Sequence, residues 1–365
     1  LNKLTVKNAA QPPDIQDCLG QLSGAKIFST CDFASGYMQL PIAEADRHKT
    51  AFNTKYGHYE MCQLGFGLTT APATFVSIMN RIFSGEMFRT GQGDAHLTAE
   101  EKAAVASLSP EERERLGENY LDKFMCIYID DIIVYSQTPE EHAEHLHKIF
   151  DRLVQFDLVM SSEKSFFAKT QVEYLGHIVS AEGIHMNPDK VKSVAEWPEP
   201  RSQTDVRQFL GLCGYYRKFV AKYGQVAKPL TDLTAKHPSV DEKTGNIATL
   251  PETAKAAFEA LKEALISAPV LTIPDPRKGG FHLMCDASTI GLGATLFQKG
   301  EDGKLHPCAY TSRVLTPTER RHYERTHCIY DLELGALIYA LKKWRIYLDG
   351  QIDTTVDTDH KSLIW

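Results

Sequence analysis

The chain has 365 residues, 43% hydrophobic and 24% charged, with a formal net charge of −7. That length suits two or three domains with sizeable cores, and the balance is that of a globular chain rather than a disordered or fibrous one. No apolar run is long enough to cross a membrane and no signal peptide is legible, so no membrane partner is expected; eight cysteines without a Cys-x-x-Cys pair argue for reduced thiols in an intracellular protein rather than disulfides or zinc.

The first informative element is Ile27-Phe28-Ser29-Thr30-Cys31-Asp32-Phe33, a short apolar strand that runs into a carboxylate. Ala34, Ser35 and Gly36 come next, small residues whose backbone amides suit a phosphate, and then Tyr37. Residues 1–86 and 121–170 read as mixed α/β. Between them Thr98-Ala99-Glu100-Glu101 and Ser109-Pro110-Glu111-Glu112 both have the form of helix starts, so 87–120 reads as a polar helical insertion on the surface.

Two strongly apolar runs then meet at a pair of acids: Phe124-Met125-Cys126-Ile127-Tyr128-Ile129-Asp130-Asp131-Ile132-Ile133-Val134-Tyr135. The β-branched and aromatic residues predict two buried strands with Asp130-Asp131 at the hairpin tip. An Asp pair is also a common turn, but here two carboxylates crowd the end of a buried sheet, where they repel and lose hydration. A divalent cation relieves both costs. Asp32 adds a third oxygen ligand, a set suited to two metal ions about 4 Å apart and to phosphoryl or nucleotidyl transfer. Downstream, Glu141-His142-Ala143-Glu144-His145-Leu146-His147 has the look of a metal box but reads as a solvated helix.

Between 201 and 236 the basic residues Arg201, Arg207, Arg217, Lys218, Lys222, Lys228 and Lys236 face only Asp205 and Asp232. That local excess suits contact with phosphates despite the negative total. Apolar residues from Val206 to Val220 fall at helical spacing, and an amphipathic helix covers 254–265. Beyond 277 the pattern is strand, strand, strand, a helix of about thirty residues from Thr318, and a strand near 353–358. Asp286 ends the first of these strands. Glu333 shares a helix face with Ile329, Ala336, Leu337 and Ala340, where a carboxylate is expensive unless paired or on a metal. Asp357 and Asp359 have the same strand parity.

In this order the segments resemble the Pol polyprotein of gypsy-type LTR retrotransposons, in its reverse transcriptase and ribonuclease H region. Tyr128-Ile129-Asp130-Asp131 resembles the Tyr-x-Asp-Asp box, and Asp32-Phe33-Ala34-Ser35-Gly36-Tyr37 the first catalytic motif. Phe66-Gly67-Leu68-Thr69-Thr70-Ala71-Pro72-Ala73-Thr74-Phe75 resembles the nucleotide and template pocket, and Tyr174-Leu175-Gly176-His177 the primer grip. Asp286-Ala287-Ser288 and Thr358-Asp359-His360-Lys361-Ser362-Leu363 resemble two ribonuclease H strand motifs. The departures are Leu64-Gly65 where the family has Met-Pro, and Cys31 where it has a larger apolar residue.

The resemblance implies an α/β and α+β chain: a right-hand polymerase of palm, partial fingers and thumb, followed by a ribonuclease H-like domain. It divides the sequence into fingers and palm at 1–170 with the insertion 87–120, thumb at 171–240, connector at 241–276 and ribonuclease H at 277–365. The chain reads as a fragment, lacking an upstream basic strand and a downstream end. The implied activity is RNA- and DNA-directed DNA synthesis, with cleavage of RNA in hybrids. The metal ligands and catalytic residues would be Asp32, Asp130 and Asp131, and separately Asp286, Glu333 and Asp359, holding Mg2+ with Mn2+ as a substitute. The nucleotide would meet Phe33, Ala34, Ser35, Gly36, Tyr37, Phe66 and Gly67, with Tyr37 excluding a 2′-hydroxyl. Partners would be an RNA template, a DNA primer, the RNA–DNA hybrid, dNTPs and the protease and integrase of the same polyprotein. The location would be cytoplasmic, in particles, with access to the nucleus. The rival reading is a domesticated copy that binds nucleic acid without catalysis.

Overall fold

The computed structural model describes residues 2–3, 5–6, 13–88, 109–241 and 243–357. Contacts divide the chain into two units, Leu1–Leu175 and Gly176–Trp365, and each is described by itself.

The first unit is built on an antiparallel sheet of β1 (Ile27–Asp32), β4 (Met125–Tyr128), β5 (Asp131–Ser136) and β6 (Phe166–Lys169), in the order β4-β5-β1-β6. Its β5 side chains from Ile132 to Ser136 are all buried, as expected of an apolar run covered on both faces. Helix Ala71–Ser84 supplies Phe75, Met79, Ile82 and Phe83 to the core, and helix Pro139–Gln155 supplies Ile149 and Leu153. The second helix starts where Thr138 accepts the Glu141 amide and Pro139 occupies the first turn. A small hairpin, β2 (Phe52–Thr54) with β3 (Gly57–Tyr59), stands exposed, and β7 (Gln171–Tyr174) closes the unit.

The insertion yields one described helix, Pro110–Leu116, from the expected Ser109-Pro110 start. The Thr98 start lies outside the described residues. The stretch after Leu116 is not a free surface. Buried Arg152 donates to the carbonyls of Leu116 at 2.8 Å and Glu118 at 3.1 Å, and to Ile82 at 3.1 Å, while its guanidinium lies 3.8 Å from the Tyr120 ring centre. One cation thus gathers the carbonyls at the ends of two helices, where the helix dipoles favour it.

In the second unit β8 (His177–Ser180) and β9 (Gly183–Met186) form a hairpin, followed by helices Pro188–Ala195, Gln203–Tyr215 and Glu252–Ile266. A second sheet holds β10 (Phe281–Ala287), β11 (Gly291–Lys299), β12 (Leu305–Val314) and β13 (Thr355–Asp357), in the order β12-β11-β10-β13. The first three strands are antiparallel neighbours and β13 joins β10 in parallel. The expected thirty-residue helix is two helices, Pro317–Thr326 and Ile329–Lys343. His327 caps the first in a left-handed conformation (φ 54) and Cys328 extends before the second, so the chain turns between them. Helix Ile329–Lys343 packs on β10 and β11 through Leu332, Ala336 and Ala340. Ile329, expected on that face, is exposed.

Candidate active sites

At the end of the first sheet β1 and β5 are in register, with Asp32 directly opposite Asp131. Directly opposed residues of an antiparallel pair share a face and stand about 5 Å apart at Cβ. The hairpin between β4 and β5 closes with Tyr128 opposite Asp131, so its two loop residues are Ile129 and Asp130, not the Asp pair. Ile129 has φ 55, a left-handed backbone that a β-branched residue adopts only under strain of about 1–2 kcal/mol. That strained turn fixes the direction of Asp130.

The electrostatics of the tip reflect this crowding. Burial pushes the Asp130 carboxyl up, the Tyr37 hydroxyl bonded to it pulls it down, and the charge of Asp32 raises it further. Asp131 is raised by burial, then by Asp32 and Asp130. One oxygen of Asp130, Oδ1, is buried with no hydrogen-bond partner among the described residues. Hard carboxylate oxygens, mutual repulsion and an unsatisfied buried acceptor fit a divalent cation. The fold makes the three acids neighbours without a finished cage: among the described residues no three His, Cys, Asp or Glu side chains form a metal-holding group.

Tyr37 lies in a 3₁₀ turn, Gly36–Gln39, and its ring sits 5.5 Å from Phe66 and 5.4 Å from Phe75. Its hydroxyl donates to Asp130, and burial together with that charge pushes its pKa up to about 12. Phe66 is exposed. Asn2 clips the turn beside it: its Nδ2 donates to the Gly67 carbonyl at 2.7 Å, and its Oδ1 accepts the Thr69 amide at 3.0 Å. Not every amide after Asp32 is left for a phosphate. Ala34 N–H donates to the Val159 carbonyl at 3.1 Å, and Gln39 Nε2 braces the Ala34 carbonyl at 2.7 Å. Ala34 therefore lines the loop without offering its amide, a departure from the expectation that Phe33 to Gly36 act alike. Cys31 is core packing, buried, with its thiol pushed up to about 12.

The turn at Leu175-Gly176 has two successive left-handed residues, φ 46 and φ 66. In the second unit the Tyr216 hydroxyl donates to the Gly176 carbonyl at 2.8 Å, and a Cβ on Gly176 would meet the Tyr215 ring at 3.4 Å. The angle favours glycine there, while the neighbouring ring would only be touched.

The histidine segment 141–147 is neither a metal box nor wholly solvated. His142 is buried, with Nε2 2.7 Å from Ser29 Oγ and Nδ1 2.8 Å from Ser136 Oγ; His145 Nδ1 reaches the same Ser136 oxygen at 2.8 Å. His145 stacks on Phe124, with ring centres 3.9 Å apart. Burial lowers the pKa of both histidines. The serines sit at buried strand positions, and a polar residue in an apolar strand is the sequence signal for such a network.

In the second unit Asp286 lies near the end of β10, and Asp357 on β13 pairs with Met284, two residues before it. Asp286 and Asp357 line one cleft of about 460 Å³ with Ala221, Lys222 and Thr295. Lys222 Nζ is 2.8 Å from Asp286 Oδ2, and His282 Nδ1 is 3.7 Å from Asp357 Oδ2. Glu333 is half-buried on the helix that packs against β10, with one carboxylate oxygen fully buried, and it is not among the residues lining that cleft. Asp359 lies outside the described residues. Two carboxylates on adjacent parallel strands, open to one cleft, are again a donor set that suits a hard cation.

Residues 1–179 match the family of reverse transcriptase (RNA-dependent DNA polymerase), and residues 250–356 match the RNase H-like domain found in reverse transcriptase. Over its whole length the chain is 38% identical to the retrovirus-related Pol polyprotein from transposon opus and 34% identical to that from transposon gypsy, both of Drosophila melanogaster, covering 32% and 31% of them. It is 30% identical to the transposon Tf2-3 polyprotein of Schizosaccharomyces pombe, covering 24%. The chain thus spans about a third or less of the curated relatives it matches. Among solved structures it is similar to the foamy viral protease-reverse transcriptase in complex with RNA/DNA hybrid, with TM-score 0.72 at 22% identity over 99% of this chain and 43% of that one. The form of that protein called dRH, in complex with ds DNA, gives TM-score 0.75 at 22% identity, covering 99% of this chain and 55% of that one. At such identity the likeness shows the fold alone: a retroviral reverse transcriptase fold.

Proposed function

We propose, for a chain that belongs to the transposon Pol polyprotein family through its reverse transcriptase and RNase H-like domains, that it synthesises DNA on RNA and DNA templates and cleaves RNA in hybrids. The observation that carries the reading is the register that sets Asp32 against Asp131 with Asp130 at the adjoining turn. Both families work with divalent metal ions; we take the ion here to be Mg2+, with Mn2+ as a substitute. Asp32, Asp130 and Asp131 would hold it in the first unit, and Asp286, Glu333 and Asp359 in the second. There the ions would activate the attacking oxygen and stabilise the leaving one.

The chain's own residues supply the rest. Tyr37 holds Asp130 through its hydroxyl and presents a ring flanked by Phe66 and Phe75, where a 2′-hydroxyl on an incoming sugar would clash. Phe66 offers an exposed face to the base, beside the turn at Gly67 that Asn2 holds. Phe33, Ser35 and Gly36 border the place for the triphosphate. Gly176, its carbonyl held by Tyr216, would seat the primer end. Asp359, two residues beyond Asp357 in the sequence, would complete the nuclease set.

Template, primer, hybrid and dNTPs are the partners this chemistry requires. The foamy viral relatives of the fold hold RNA/DNA hybrid and ds DNA. The protease and integrase of a Pol polyprotein, and a cytoplasmic, particle-associated site with access to the nucleus, complete the proposal. Primer extension on an RNA template, run beside a hybrid-cleavage assay, tests it. Synthesis abolished by Asp130→Asn but retained in Asp286→Asn, with the opposite result for cleavage, supports two separate sites. Nucleic-acid binding without either reaction supports a domesticated copy.

A further inference from the structure

The segment Ala221–Val226 is fastened to the second sheet next to the Asp286 cleft. Gly224 N–H donates to Ser312 Oγ at 2.8 Å, and Gln225 Nε2 donates to the Gly291 carbonyl at 3.2 Å. A Cβ on Gly224 would lie 3.1 Å from Arg313 Cα, so the two backbones touch. Lys222, at the start of this short turn, has φ 54. A lysine gains nothing from that left-handed backbone, where asparagine or glycine sits more easily. The turn points its ammonium at Asp286, 2.8 Å away, in the cleft that Asp357 also lines.

Resting on the reading of Asp286 as a metal ligand, we propose that Lys222 is a built-in counter-cation that a divalent ion must displace from Asp286 before the nuclease site fills. Asp286 and Asp357 face one cleft, and a single positive charge eases their repulsion. Both partners are about half exposed, at 54% and 47%, so the four-carbon side chain can swing away without unfolding anything. The arrangement makes metal affinity at the nuclease site a competition; among the described residues no ion pair reaches Asp32, Asp130 or Asp131.

The test is Mn2+ titration of the full chain, read by the electron paramagnetic resonance of the free ion, with Asp130→Asn and Asp131→Asn present to weaken the polymerase site. Lys222→Asn removes the charge and tolerates the left-handed backbone. It should tighten Mn2+ binding by about two- to fivefold, the worth of a half-exposed ion pair. Lys222→Arg should leave affinity near the parent, and thermal melting of both variants checks that they fold. Unchanged or weaker binding in a folded Lys222→Asn overturns the proposal. Asp286→Asn separates it from the reading beneath: loss of a bound Mn2+ there upholds Asp286 as ligand whatever Lys222 does. Undiminished stoichiometry removes both the ligand and its counter-cation.

Discussion

Tyr37 joins an aromatic face to an acidic hairpin, and the two roles proposed for it are separable. Tyr37→Val should raise ribonucleotide incorporation relative to deoxynucleotide, because only the 2′-hydroxyl gains room; equal loss for both sugars would make the ring purely structural. Tyr37→Phe keeps the ring and removes the donor to Asp130, so discrimination should persist while Asp130 titrates higher. Its hydroxyl, pushed up to about 12, stays protonated across any working pH. The raised carboxyls have a second consequence. For an acid whose folded pKa is raised, the folded state holds the extra proton, so stability falls as pH climbs from the ordinary carboxylate value through the raised one. At neutral pH without metal Asp130 and Asp131 therefore destabilise the fold. Asp130→Asn should raise the melting temperature slightly, on the order of a degree or two, while ending synthesis. A lower melting temperature in metal-free buffer would contradict the assigned repulsion.

Several elements were legible before their geometry was. The apolar runs around Asp130 announced two buried strands, and period-two patterning gave β10 to β12, because long-range packing there agrees with local preference. The turn itself was not legible: which two residues form the loop depends on the pairing of Tyr128 with Asp131, which no local pattern fixes. The break at His327 was hidden because helix Pro317–Thr326 buries no residue, so no apolar pattern there marks where one helix ends. The His142–Ser29–Ser136 network was missed because a helix carrying three histidines and four acids looks solvated until the serines beneath it are placed. That network should set an acid limit. Both histidines have lowered pKa in the fold, so their stabilising effect is complete above the ordinary value of 6.5 and is lost as pH falls below it, while the unfolded chain gains protons. Urea melts from pH 7.5 to 5.5 should show falling stability, and His142→Asn should flatten the trend. Arg152 limits the insertion in the same way. Shortening 89–108 while keeping 109–120 should leave primer extension intact. Removing the carbonyls of Leu116 and Glu118, like Arg152→Met, should cost about 3 kcal/mol in urea melts, because buried hydrogen bonds lose their partners.

The whole molecule joins two carboxylate sites under a net charge of −7. Among the described residues no helix is long and apolar enough to cross a membrane. The basic stretch 201–236 is less available than its sequence implies: Lys222 pairs with Asp286, Lys228 with Asp232, and Arg207 donates to the Thr234 carbonyl at 2.8 Å. The Lys222–Asp286 pair joins residues 64 positions apart, a contact that no one-dimensional charge count can foresee. The central claim is that Asp32, Asp130 and Asp131, brought together from two strands and a strained turn, form the synthetic site. The most direct measurement is single-nucleotide primer extension on an RNA template with dNTPs and Mg2+, comparing the chain with folded Asp32→Asn and Asp130→Asn variants. The expected result is a loss on the order of a hundredfold or more for each, with the double variant no worse than the poorer single, as for residues acting as one unit. Extension by either single variant at the rate of the parent would contradict it.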